Sequence, residues 1–331
     1  MILHPAVLAL LIASILISFL VLHAGWYGLR ILLKWDITSG SELQLSLERR
    51  TYLISTILGY SLFFQIISLF LFIYTVDSIH DLFSGAMCAA GTLNVNPYGY
   101  PTLILKIVNS LLAGVWLIIN YADTQGFDYP LIKVKYLLLI LIVPLVLVET
   151  FFLFRYFSGL HADVITSCCG TLFSSDKETI SGDLAGLPNR PMMIAFYSSM
   201  AATYGSGLYF FLTRRGGYLF PVSCFLTFII AAASLISFIC LYFYELPTHH
   251  CPFCILQKEY GHIGYVLYLT LLGGAVAGSG AGALMPFRNR RSLFQVIPPL
   301  QQRLTVVTLL SYALFTLIVT CRILTTPFKL Q

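Results

Sequence analysis

The chain has 331 residues, of which 58% are hydrophobic and only 10% charged, with a mean hydropathy of +0.85. Soluble domains carry about 25% charged residues, so this composition excludes an ordinary soluble domain and points to an all-α, polytopic membrane protein. The net charge of +5 does not mark a nucleic-acid binder, because the basic residues fall in short clusters between apolar runs.

Apolar stretches of the length that crosses a bilayer as a helix, about 20 residues, occur near 6–33, 52–76, 101–121, 136–158, 192–213, 217–243, 253–278 and 304–325. They predict eight transmembrane helices in a single membrane domain. The first follows Met1-Ile2-Leu3-His4-Pro5, which has no basic segment, and is too long for a signal-peptide core; a retained span is expected. Between the second and third lies a loop, 77–100, holding Cys88 and the turn-forming run Asn94 to Tyr100. The fourth span carries Glu149, with Arg155 near its end. A carboxylate inside a membrane is either a proton relay or the buried partner of a cation or polar group. Loop 159–191 contains His161 and the adjacent pair Cys168-Cys169. Arg214-Arg215-Gly216-Gly217 predicts a tight basic hairpin between the fifth and sixth spans. Loop 245–252 leads into Cys251-Pro252-Phe253-Cys254 at the start of the seventh, where Gly274, Gly278 and Gly282 recur at the four-residue spacing that lets helices approach closely.

Loop charge alternates along the chain. One set of connections carries Arg30, Lys34, Arg49 and Arg50, then Lys133 and Lys135, then Arg214 and Arg215, then Arg288, Arg290, Arg291 and Arg303. The other set is poor in basic residues. The excess of Lys and Arg on cytoplasmic loops therefore places both termini outside, together with Cys88, Cys168, Cys169, Cys251 and Cys254. That is the oxidising side, where disulfides persist. Cys224, Cys240 and Cys321 fall inside spans and read as small buried apolar residues.

A C-x-x-C at a helix start forms a readily exchanged disulfide, and the positive end of the helix favours its thiolate. Cys254 and Lys258 are four residues apart, one helical turn, on the same face, where the cation would stabilise the thiolate or a reduced quinone beside it. Gln257 offers a hydrogen bond to a quinone carbonyl. Tyr260, Tyr265 and Tyr268 suit an isoprenoid tail.

The stretch Cys251-Pro-Phe-Cys254-Ile-Leu-Gln257-Lys258-Glu259-Tyr260 resembles the quinone-linked disulfide oxidases of the DsbB type and, more loosely, the vitamin K epoxide reductase family. The resemblance covers about residues 249–275. It implies that Cys251 is the exchanging thiol, Cys254 the quinone-facing thiol and Lys258 its basic partner, with loop cysteines drawn from Cys88, Cys168 and Cys169. It further implies ubiquinone or menaquinone as cofactor, an external periplasmic thiol protein as partner, and the bacterial inner membrane as location. Eight spans instead of four or five, Lys in place of the usual Arg, and an adjacent Cys168-Cys169 pair depart from that pattern. A disulfide between adjacent residues is strained, so Cys88 is an alternative partner for one of the two.

Two other readings stand beside this one. His249-His250-Cys251-x-x-Cys254 provides two imidazoles and two thiols, enough for a zinc or copper(I) site, with His161, Cys168 and Cys169 as further donors. A haem variant would use His23 and His262, although their expected depths do not match. Alternatively the chain is an integral subunit of a larger respiratory or transport assembly, its cysteines stapling external loops. No Gly-rich nucleotide loop and no Ser-His-Asp grouping is present.

Overall fold

Long aliphatic runs punctuated by Pro, Gly and polar turns fold into helices that satisfy their own backbone hydrogen bonds, the arrangement an apolar environment demands. The structure is a computed structural model and describes residues 3–37, 39–161 and 185–330. Its helices are α1 (Pro5–Lys34), α2 (Glu42–Ser78), the short α3 (Ala89–Leu93), α4 (Gly99–Thr124), α5 (Ile132–Ser158), α6 (Asn189–Thr213), α7 (Leu219–Tyr244), α8 (Ile263–Ala283) and α9 (Ile297–Thr325). The described residues contain no strand.

Seven of these helices, all but α3 and α6, are long and apolar enough to cross a membrane. Their flanks carry exposed Phe19, Leu33, Phe64 and Phe151, while Lys106, Asp123, Lys135 and Glu149 are buried. A soluble protein shows the reverse distribution, so the chain reads as a helical membrane protein. The eighth expected span is present as α6, but it falls short in apolarity among the described helices. Its polar side chains bond across to neighbours: Thr203 to Thr227 at 2.8 Å, Ser206 to Ser223 at 2.7 Å, and Tyr197 and Tyr204 to Thr320 and Thr316, each at 3.0 Å.

The chain divides into two compact units. The first comprises residues 1–75, 96–160 and 283–301. In it α1 lies against α5, because Gly25 and Gly28 leave no room for a Cβ beside Val143 and Tyr136. Glu149 is here the buried partner of a cation. Its carboxylate accepts from Lys106 Nζ at 2.8 Å, Asn109 Nδ2 at 2.6 Å and Gln65 Nε2 at 2.5 Å, and Lys106 also donates to Ser68 Oγ at 3.0 Å. A second buried pair, Lys135–Asp123 at 2.6 Å, closes the α4–α5 connection, where Asp123 also accepts the Leu131 N–H at 2.8 Å.

The second unit comprises residues 76–95, 161–282 and 302–331. The glycine stripe of α8 works as expected: a Cβ at Gly274 would strike the Tyr312 ring of α9, and one at Gly278 would strike Cys224 of α7. The Arg214-Arg215-Gly216-Gly217 hairpin also forms, with Arg214 and Gly216 both at positive φ. Two features differ from the sequence expectation. Helix α7 contains a π turn at Leu235–Ile239. The seventh span begins at Ile263, not near 253, because residues 254–260 form two 3-10 turns separated by an extended Gln257.

The Lys106–Glu149 pair yields a stability prediction. Glu149→Leu strands the Lys106 ammonium away from water and should destabilise the protein by about 3–5 kcal/mol, whereas Glu149→Leu combined with Lys106→Met should recover most of that loss. Thermal unfolding in detergent of the single and double variants measures the difference.

Candidate functional site

The second unit gathers three cysteines from two distant segments. Cys88 precedes α3, and Cys251 and Cys254 lie in the connection between α7 and α8. Cys88 Sγ and Cys251 Sγ are 3.6 Å apart, and all three sulfurs lie within 4.8 Å of one another. A disulfide bond is about 2.05 Å long, so the arrangement is that of three thiols at contact distance. Cys88 and Cys251 are fully buried and Cys254 is 6% exposed.

Side chains hold the irregular backbone around these sulfurs. The Tyr244 hydroxyl, at the end of α7, donates to the Cys251 carbonyl at 2.5 Å and accepts the Ile255 N–H at 2.9 Å. Tyr268 of α8 donates to the Pro252 carbonyl. Gly264 lets the first turn of α8 close on Ile255, where a Cβ would meet that residue's carbonyl. The Cys88 segment is gripped from both sides. Gln257 Nε2 donates to the Met87 carbonyl at 2.8 Å, and Asp77 Oδ1 accepts the Ala89 N–H at 3.0 Å. Cys88 sits between those two anchored residues.

The two adjacent histidines have separate work. His249 Nε2 lies 3.4 Å from Cys254 Sγ, and its ring stands edge-on to Tyr244 with centroids 4.6 Å apart. Burial pushes the His249 imidazole below its usual value, against the opposing pull of Cys88, which favours the neutral ring. His250 instead turns to α7, where Nδ1 donates to the Ile236 carbonyl at 2.8 Å within the π turn. The expected four-donor set of His249, His250, Cys251 and Cys254 is therefore not assembled; among the described residues the donors that converge are Cys88, Cys251 and Cys254.

Other expectations also change. Lys258 is exposed, and the extended Gln257 between it and Cys254 removes the helical register that would pair them. Gln257 is engaged with the Met87 carbonyl. Tyr268 supports the loop backbone. Cys168 and Cys169 lie outside the described residues. His262 precedes α8 instead of lying within it, and its Nδ1 donates to the Leu256 carbonyl at 2.7 Å. His23 belongs to the other unit, its ring against Tyr27 at 5.1 Å. Of the remaining cysteines, Cys224 and Cys240 are buried in helices as expected, while Cys321 is exposed.

A cleft of about 470 Å³ opens beside the site, lined by Phe243, Glu259, Tyr260, Gly261, Ile263 and Arg322. Tyr260 packs on Tyr244 with centroids 4.9 Å apart. Burial, with the neighbouring charges of Cys254 and Glu259, pushes the Tyr260 phenol up. Arg322 donates to the carbonyls of Tyr242 and Phe243 at 3.1 and 3.2 Å and pairs with Glu245 at 3.0 Å. The sequence reading missed Tyr244, Asp77 and Arg322. Arg322 lies 77 to 80 residues from its partners, and Tyr244 and Asp77 reach theirs, 7 to 12 residues on, across irregular connections that no regular spacing describes. No protein-family model, no curated protein and no solved structure matches the chain.

The Tyr244 hydroxyl gives a direct test of this support. Tyr244→Phe leaves a buried carbonyl and N–H without their partner, at a cost of about 1–3 kcal/mol for each unsatisfied group. The variant should unfold at lower temperature, and its Cys251 should react faster with a small alkylating reagent than in the parent protein.

Proposed function

We propose that the protein is a membrane thiol–disulfide oxidoreductase whose redox centre is Cys88, Cys251 and Cys254, passing electrons between external dithiols and a membrane quinone. The observation that carries this reading is the 3.6 Å approach of Cys88 to Cys251 beside Cys254. Cys251 is the sulfur common to both exchangeable bonds. With a Cys251–Cys254 disulfide in place, the Cys88 thiolate attacks Cys251 Sγ, forming the Cys88–Cys251 bond and releasing Cys254 as the thiolate. Attack by Cys254 on that bond reverses the step. No net electrons move in this exchange; potentials set the direction of flow through the centre.

The electron balance is completed on either side. An external dithiol reduces the disulfide to two thiols and becomes a disulfide itself. Two thiols then deliver two electrons and two protons to a quinone, giving a disulfide and a quinol. The cleft beside Tyr260 is the proposed seat of the quinone ring, with Arg322 in place of Lys258 as the cation near its carbonyl. Ubiquinone and menaquinone both satisfy this chemistry. The clustering of basic residues on alternate connections supports an orientation with the cysteines and both termini outside, as in a bacterial inner membrane.

Thiol trapping in membranes tests the proposal. Adding oxidised quinone should convert two of the three thiols to a form that resists alkylation, and a reductant should restore them. In Cys254→Ser the Cys251–Cys254 bond cannot form, so Cys88 has no disulfide to attack, and the quinone-dependent loss of alkylation at Cys88 and Cys251 should be abolished. Thiols that stay alkylatable with quinone supplied would refute the oxidase reading.

A further inference from the structure

The same sulfurs have a second geometric property that electron transfer does not require. In a tetrahedral zinc site, bond lengths of about 2.3 Å to sulfur and 2.0–2.1 Å to nitrogen put neighbouring sulfurs about 3.8 Å apart and a sulfur and nitrogen about 3.6 Å apart. Here Cys88 Sγ and Cys251 Sγ are 3.6 Å apart, and His249 Nε2 lies 3.4 Å from Cys254 Sγ. The third sulfur keeps within 4.8 Å of the other two. Three sulfurs so placed match one face of a coordination tetrahedron, with the His249 ring against Cys254 alone.

Each corner is held by contacts that involve no ion. Met87 and Ala89 anchor Cys88, Tyr244 and Tyr268 hold the backbone of Cys251 and Pro252, and the His249 ring beside Cys254 rests on Tyr244. Preorganisation of this kind lowers the cost of assembling the ligands around a cation. The donors match as well. Three thiols are a soft set suited to a thiophilic ion, and three protein donors leave the fourth tetrahedral position open.

We propose that the reduced protein binds one zinc(II) ion through Cys88, Cys251 and Cys254. Binding releases the three thiol protons: one zinc ion and three thiols give a zinc tris-thiolate and three protons. The site exists only while all three sulfurs are reduced, because any disulfide among them removes two ligands. Zinc and disulfide formation therefore exclude one another, and zinc holds the centre in its reduced state. The inference rests on the cysteine arrangement used by the redox reading, but on no electron acceptor.

The test uses purified full-length protein, reduced and with its thiol content measured, titrated with zinc(II) and with cobalt(II) as a coloured probe. One ion per chain is expected, with thiolate-to-cobalt charge-transfer absorption. Cys88→Ser should weaken zinc binding by at least about tenfold, the scale on which even the outer partners of metal ligands act. Cys251→Ser and Cys254→Ser should also weaken it, whereas His250→Gln and Cys321→Ser should leave it unchanged. Should Cys88→Ser fail to fold, alkylation of the parent protein decides. Protection of Cys88, Cys251 and Cys254 by zinc supports the site, and equal labelling with and without zinc overturns it. Absence of stoichiometric binding to fully reduced protein, or binding that survives Cys88→Ser, also overturns it. The titration contains no quinone, so its failure leaves the redox reading standing, and failed quinone-dependent oxidation leaves the zinc result standing.

Discussion

Where a chain leaves helical geometry among buried apolar helices, each carbonyl and N–H that the helix no longer satisfies must find another partner. The segment from Cys251 to Leu256 does this, and the site depends on how its backbone groups are met. Tyr244 takes one carbonyl and one N–H, Tyr268 takes the next carbonyl, and Gln257 reaches to the neighbouring loop at Met87. The two sulfurs of Cys251-Pro252-Phe253-Cys254 are thereby fixed against a third from a segment more than 160 residues away. In a continuous helix, Cys251, Cys254 and Lys258 would instead have shared one face.

The first unit answers the same constraint with charge. Glu149 and Lys106 lie away from water, and Gln65, Asn109 and Ser68 supply hydrogen bonds to one or other of them. The pair is thus an organised polar interior within an apolar exterior. Lys135 and Asp123 repeat the solution at the α4–α5 connection. In both units the lipid-like exterior is made of aliphatic and aromatic side chains, and specificity of packing comes from glycines and from hydroxyls that bond across helices.

Much of this was legible in the sequence, for physical reasons. Length and apolarity announce spans, so seven long helices appear near their expected positions, and α6 differs because its Ser, Thr and Tyr residues serve neighbouring helices. The Gly274, Gly278 and Gly282 stripe was legible because only the loss of a Cβ permits such close approach. Cys88, Cys251 and Cys254 were singled out by residue type. Their convergence was not readable, since nothing local in 77–100 points to 251. The two 3-10 turns were also hidden, because Cys254 to Tyr260 has no helix breaker before Gly261 and reads as the opening of an apolar helix. That misreading produced the Cys254–Lys258 pairing. The adjacent histidines look equivalent in sequence, and only the π turn of α7, which presents the Ile236 carbonyl, separates His250 from the sulfurs.

The central claim is that Cys88, Cys251 and Cys254 form one thiol centre. Its most direct measurement is a disulfide map of the protein taken from membranes, with thiols blocked by alkylation at the moment of lysis. A linkage confined to this set, Cys88 to Cys251 or Cys251 to Cys254, is the predicted result. Contradiction would come from Cys251 bonded to Cys168 or Cys169, or from all three sulfurs recovered as alkylated thiols after oxidation of the membranes.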